Sequence, residues 1–218
     1  MKIAILLAGH LRFWRECKSN FLSCLYQDGH DIDVFVDTYD KVFRSDYSVR
    51  KENEQQISLR SEDLHALFSG INVVSFKIEP ELIGITEAPQ IRKLLNVYDT
   101  YVNYEKEHGR YDLVIKSRFD IKLHNIVDYS NLSKQLSSSN KTLHISNGAV
   151  NSIPNENDML ALGDTDTFKI YGNRHRRFSC VHGSIGMIQQ QDGVKCIPDI
   201  DISILRFSHD GTKIVEEH

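Results

Sequence analysis

Arg118-Phe119-Asp120 follows directly on the apolar run Leu113–Ile115, within Lys116-Ser117-Arg118-Phe119-Asp120. A carboxylate emerging from a buried strand is costly unless it is paired or holds a cation. Its oxygens suit a hard divalent ion, Mg2+ or Mn2+, of the kind that bridges a diphosphate. Arg118 can pair with a phosphate or orient the carboxylate; the same two residues also fit a purely structural ion pair. Ala8-Gly9-His10-Leu11-Arg12 ends a second apolar run. Small Ala8 and Gly9 let a ligand approach the backbone, the start of the next helix favours an anion, and Arg12 can grip a phosphate bidentately. A plain strand-to-helix turn is the alternative. Asp37-Thr38-Tyr39-Asp40 ends a third run: Asp37 and Thr38 suit a base or ribose and Tyr39 can stack on a base, or the four form a solvated turn.

Other candidates are more isolated. Asp158, before the apolar Met159–Leu162, can hydrogen-bond sugar hydroxyls or act as a base, or it simply opens a strand. His182, in Val-His-Gly-Ser, is a candidate metal ligand or a hydrogen-bonded structural histidine. Arg92, in a long helical pattern, is grouped with the nucleotide-binding residues. The basic run Asn173–Arg177 reads as a solvated helix end or as a clamp on an anionic substrate.

The elements that must position these residues follow from periodicity. Ile3–Ala8 is continuously apolar, which suits a strand buried on both faces of a parallel sheet. A helix is expected over Leu11–Tyr26 and a second strand over Asp31–Tyr39, so the chain opens β-α-β. Residues 40–60 are polar and read as a loop, either a solvated excursion or a lid. A short helix over Ser61–Phe68, a strand over Asn72–Ile78, a long helix over Glu87–Glu107 and a strand over Tyr111–Lys116 follow. Ser-rich Leu132–Lys141 is expected to be a loop. Strands are expected at Thr142–Ser146, Met159–Leu162, Val194–Ile197 and Ile202–Phe207, with helices at Asp164–Tyr171 and Ser184–Gln191. The reading is one α/β domain over residues 1–218, with a mostly parallel central sheet flanked by helices and a more irregular C-terminal half.

Composition narrows the class. The 218 residues carry 26 Lys plus Arg against 30 Asp plus Glu, a net charge of −4, and are 40% hydrophobic. That excludes a disordered chain and argues against a nucleic-acid-coating protein. Ile3–Ala8 is too short for a transmembrane span and short for a signal-peptide core. The four cysteines (Cys17, Cys24, Cys180 and Cys196) have no CxxC spacing, so no zinc site or redox dithiol is signalled. Without a secretion signal, the sequons Asn131-Leu-Ser and Asn140-Lys-Thr imply little, and a cytoplasmic location is expected. Lys213–His218 has no strong end signal, as in a domain cut from a longer chain. The first turn is not GxGxxG, so a dinucleotide-binding dehydrogenase is disfavoured.

Leu7-Ala-Gly-His-Leu-Arg12, Val34-Phe-Val-Asp-Thr-Tyr39, Tyr111-Asp-Leu-Val-Ile-Lys-Ser-Arg-Phe-Asp-Ile121 and Asn157-Asp-Met-Leu-Ala-Leu-Gly163 together resemble glycosyltransferases of the GT-A fold. The nearest likeness is to the small glycan-building domains of chloroviruses and of bacterial surface-polysaccharide synthesis. The resemblance implies a nucleotide-sugar donor, commonly a UDP-sugar, a hexose or deoxyhexose passed to a glycan or glycoprotein acceptor, and usually Mn2+. If the producer is a virus, the site of action is the host cytoplasm. It implies a nucleotide-binding half over about residues 1–120 and an acceptor half over about 121–218. Gly9 and Arg12 would lie near the diphosphate, Asp37, Thr38 and Tyr39 near the nucleoside, and Asp158 on the acceptor side. The family's metal motif is Asp-x-Asp; here Arg118-Phe-Asp120 stands in its place, so a metal would need a further ligand such as His182. Arg12 or Arg118 would add fixed positive charge. Two alternatives remain open at this level. A sugar nucleotidyltransferase also opens strand-Leu-Ala-Gly, but its further glycines are missing after His10. A non-catalytic α/β binding module would bind no nucleotide sugar.

Overall fold

The computed structural model describes residues 1–11, 13–42, 57–58, 61–80, 89–138, 141–147, 149–150, 153–154, 159–178, 184–207 and 214–217. Strand β1 (Lys2–Gly9) places Ile3, Ile5 and Leu7 in one hydrophobic cluster and Ala4, Leu6 and Ala8 in another. With both faces apolar, the sheet has to be covered on both sides. On the first side lie helices α1 (Trp14–Cys24), α2 (Ser61–Leu67) and α4 (Tyr129–Ser138), joined to the sheet through Trp14, Phe21, Leu64, Tyr129 and Leu132. On the second lie α3 (Pro89–His108), α5 (Thr165–Arg177) and α6 (Ser184–Asp192), through Val97, Tyr101, Phe168, Tyr171 and Ile188. Trp14 ties two helices together, its indole N–H donating to the Leu67 carbonyl at 3.1 Å.

Among the described residues, seven strands form the central sheet. From one edge they run β12 (Lys195–Ile200), β8 (Thr142–Ser146), β11 (Ala161–Gly163), β6 (Leu113–Ser117), β1, β2 (Asp31–Tyr39) and β5 (Val73–Glu79). Strand β11 runs antiparallel to both its neighbours, and the remaining pairings within each half are parallel. The expected α/β architecture with a mostly parallel sheet is therefore present. Three further strands form a second sheet, in the order β14 (Ile214–Glu217), β13 (Ile202–Phe207) and β7 (Ile121–Leu123). Residues 41–42 and 57–58 pair antiparallel; most of the stretch read as a loop or lid lies outside the described residues.

Most boundaries agree with periodicity to within two or three residues, but one expectation fails. Leu132–Lys141 was expected to be a loop, yet residues through Ser138 belong to α4. Tyr129, Leu132 and Leu136 are buried on one face at helical spacing, and that stripe outweighs the low propensity of serine. The serines are accommodated by bonding backwards: Ser137 Oγ donates to the Ser133 carbonyl at 2.8 Å and Ser138 Oγ to the Gln135 carbonyl at 2.9 Å. Asp128 starts the helix, its Oδ1 accepting from the Asn131 N–H at 2.9 Å. Helix α5 does begin on the expected acidic cap, with Thr167 N–H donating to Asp164 Oδ1 at 2.8 Å, but it runs on to Arg177.

Helices α3 and α5 meet at Gly172, where an added Cβ would lie 2.3 Å from the ring of buried Tyr98. In an open helix Gly→Ala stabilises by about 1 kcal/mol. Here the clash reverses the sign, and Gly172→Ala is expected to lower unfolding free energy by about 1–3 kcal/mol in a urea titration. A stabilised variant would show that the two helices are not in this contact.

Candidate functional site

Parallel strands bring their carboxyl ends to one edge of a sheet, the usual place for ligands in open α/β folds. Gly9 pairs in register with Thr38, Tyr39 with Glu79, and Leu7 with Ser117. The three sequence candidates at strand ends are thus side by side. Gly9 has φ +117°, a conformation an L side chain rarely adopts, and a Cβ built there would meet no other atom within 4 Å. Phe13 at the start of α1 also has a positive φ, 57°, a conformation that is uncommon for a residue with a side chain. Ala8 is buried just before Gly9.

At the end of β2, Asp37 is 1% exposed and Thr38 wholly buried. Lys93, from the first turns of α3, is also wholly buried, with Nζ 2.6 Å from Asp37 Oδ1 and 3.1 Å from Glu79 Oε2. The same ammonium lies 4.5 Å from the centroid of the Tyr39 ring. The other face of the cluster is aromatic: the His10 and Tyr39 rings have centroids 4.6 Å apart, tilted by 32°. Among the described residues, Asp37 Oδ2 and Thr38 Oγ1 are buried with no hydrogen-bond partner. Buried polar atoms in native structures are nearly always satisfied, so a water or a polar ligand group is the fitting partner for these two. Burial pushes the Asp37 carboxyl up from its ordinary value, more than the neighbouring Lys93 pulls it down. Arg92, expected with the nucleotide-binding residues, stands on the surface beside this cluster, 3.6 Å from Glu79 Oε2.

At the end of β6, Phe119 is 1% exposed and packs edge-on against Trp14, with centroids 5.7 Å apart. It anchors the turn, with Arg118 and Asp120 on either side. Arg118 grips Asp120 side-on, Nε to Oδ1 at 2.8 Å and Nη2 to Oδ2 at 2.6 Å. Asp120 is 4% exposed, and its carbonyl accepts from the Leu205 N–H at 2.9 Å, which joins the turn to β13. Strand β11 runs towards this point from the other side. Ala161 pairs with both Lys116 and Ile145, and Ser146 N–H donates to the Leu160 carbonyl at 3.0 Å. Residues 159–160 therefore sit at the same edge as Ser117.

Three candidates, Arg12, Asp158 and His182, lie outside the described residues. The expected metal does not fit the residues that are described. Both Asp120 oxygens already accept from a guanidinium, and a dication there would sit beside that positive charge. Among the described residues no three His, Cys, Asp or Glu side chains are grouped to hold an ion. The basic run Asn173–Arg177 is the end of α5. Arg174 is wholly buried, its guanidinium 3.7 Å from the Tyr171 ring centroid, and Arg177 pairs with Asp192 at 2.6 Å. The first contact lies within α5 and the second ties α5 to α6.

Two residues at this edge escaped sequence reasoning. Lys93 is spaced four residues before Val97 and eight before Tyr101, which places it on the buried stripe of α3; a lysine on an apolar stripe was the available signal. Lys116 was quoted only as part of a motif, yet it is 4% exposed at the centre of the sheet.

No protein-family model and no curated protein matches the chain. Solved structures do show a likeness. The galactosyltransferase LgtC, in complex with donor and acceptor sugar analogs, is 9% identical at a TM-score of 0.41, over 89% of this chain and 72% of that one. The glycosyltransferase GlyE of Streptococcus pneumoniae TIGR4 is 10% identical at 0.45, over 91% and 45%. A glycosyltransferase involved in glycosylation of the major capsid of PBCV-1 is 12% identical at 0.40, over 90% and 80%. All three are glycosyltransferases, the group that the sequence motifs resemble.

The ion-pair cluster has a measurable pH signature. Hydrogen bonding from Lys77, at 2.9 Å, and then from Lys93 lowers Glu79 from 4.5 to about 2. A carboxyl lowered on folding contributes stability above its unfolded value, and that contribution is lost as pH falls towards the folded value. Glu79→Gln is therefore expected to melt below wild type at pH 7, with the gap closing between about pH 4.5 and pH 2. A gap constant across that range would show that Glu79 is not held by these lysines.

Proposed function

We propose that this chain is a glycosyltransferase that moves a hexosyl or deoxyhexosyl unit from a nucleotide sugar, a UDP-sugar in the first instance, to a glycan or glycoprotein acceptor. The observation that carries the reading is the meeting, at one carboxyl edge, of a positive-φ glycine, an aromatic pair, orphaned buried oxygens and an arginine. Each suits one part of such a donor. The half-buried His10 ring, backed by the buried Tyr39, offers a surface for a base. Asp37 Oδ2 can accept from a base N–H or a ribose hydroxyl, and Thr38 Oγ1 can donate or accept beside it. The side-chain-free Gly9 admits the diphosphate, and Arg118 supplies positive charge on its far side.

The chemistry follows from the leaving group. The bond from the anomeric carbon to the diphosphate oxygen breaks, and its electron pair stays on the nucleoside diphosphate. The acceptor hydroxyl oxygen forms the new bond to that carbon and gives up its proton. In an inverting transfer we assign the proton to Asp158, the base candidate that the sequence offers. As charge builds on the diphosphate, a fixed guanidinium lowers the barrier because it needs no reorganisation at the moment of reaction. We place the nucleotide in the half before about residue 120 and the acceptor in the half after it.

A thermal-shift panel of UDP, GDP, CDP and dTDP with Mn2+ present tests the reading. At a ligand concentration of about 100 times Kd, one of them is expected to stabilise the fold by about 2.7 kcal/mol. Tyr39→Ala is expected to abolish the shift while leaving a cooperative melt. No response to any of the four would sink the reading.

A further inference from the structure

The residue at the end of β6 that would be the first carboxylate of an Asp-x-Asp pair is Arg118, so the local charge differs by two units from that of a metal-binding pair. The remaining carboxylate is not open to a cation. Asp120 is 4% exposed and accepts from Arg118 through both oxygens, at 2.8 and 2.6 Å. Bidentate pairing of this kind fixes the plane of the guanidinium. Phe119, buried between the two residues, anchors the turn against Trp14. The result is a preorganised cation at the strand end, one strand from Gly9. Arginine suits this place because its fork matches two phosphate oxygens and it stays protonated at any working pH.

Building on the nucleotide-sugar reading of the same edge, we infer that the Arg118 guanidinium, held by Asp120, neutralises the donor diphosphate in place of a divalent metal ion. Asp120 is then a positioning residue, acting through Arg118. Arg118 touches the leaving group, so its effect falls on the diphosphate and not on the nucleoside.

Calorimetric titration with UDP and with uridine, each in EDTA and in Mn2+, tests this. Wild type is expected to bind UDP with Kd values that agree within about threefold in the two buffers. Arg118→Gln is expected to weaken UDP about tenfold to a hundredfold, from the loss of charged hydrogen bonds, and to leave uridine unchanged. If Arg118→Gln alone leaves Asp120 unpaired and fails to fold, the double variant Arg118→Gln/Asp120→Asn keeps a neutral hydrogen-bonded pair and is read the same way. UDP binding that appears only with Mn2+ would overturn the inference and leave the nucleotide-sugar reading standing. Equal weakening of UDP and uridine would make Arg118 structural and overturn it too. No binding of UDP or any other nucleoside diphosphate in either buffer would overturn both.

Discussion

Strand β1 has no polar face, and that governs where chemistry can occur in this molecule. Ile3, Ile5 and Leu7 enter one core and Ala4, Leu6 and Ala8 the other, each larger side chain contributing about 1.5–3 kcal/mol by burial. A central strand of this kind has to be covered by helices on both sides, so a ligand can reach the backbone only at the strand ends. Parallel pairing with β2 and β6 then gathers three ends at one edge. The left-handed Gly9 and Phe13 and the buried Asp37 all lie where the apolar requirement stops.

Two ion pairs at that edge differ in character. Lys93 and Asp37 are almost fully enclosed. A pair in such a place costs desolvation that its own attraction roughly offsets, so its presence is not explained by stability. It keeps one Asp37 oxygen engaged and leaves the other, with Thr38 Oγ1, unsatisfied. In the second pair Arg118 is partly open, its side chain 18% exposed against 5% for Asp120, so the guanidinium is the more accessible partner. Under the proposed function, one pair shapes a recognition surface and the other presents a charge. This division matches a ligand with a neutral base at one end and an anionic diphosphate in the middle.

Much of this was legible in the sequence. Continuous apolarity marks β1 and β6 as buried, and the strand expected over Asp31–Tyr39 matches β2 to the residue. Each of the three edge motifs was visible because it follows such a run. What escaped were cases where one residue type carries two meanings. Serines signalled a loop, but in α4 they bond back to their own helix while Tyr129, Leu132 and Leu136 hold it down. Lys93 is a charged residue whose spacing nonetheless puts it on the buried stripe of α3. Asp120 suggested a metal ligand by its place after a strand; only the distances to Arg118 show that both its oxygens are taken. Arg12, Asp158 and His182 remain expectations from the sequence, outside the described residues.

A crystal structure of the UDP complex grown in the presence of a chelator tests the central claim most directly. The uracil ring is expected against Tyr39 and His10, with a polar edge on Asp37 and Thr38, and the β-phosphate within hydrogen-bond reach of Arg118 while Arg118 still holds Asp120. A nucleotide bound away from the ends of β1 and β2, or a complex that forms only with a metal ion on Asp120 and Arg118 swung aside, would contradict it.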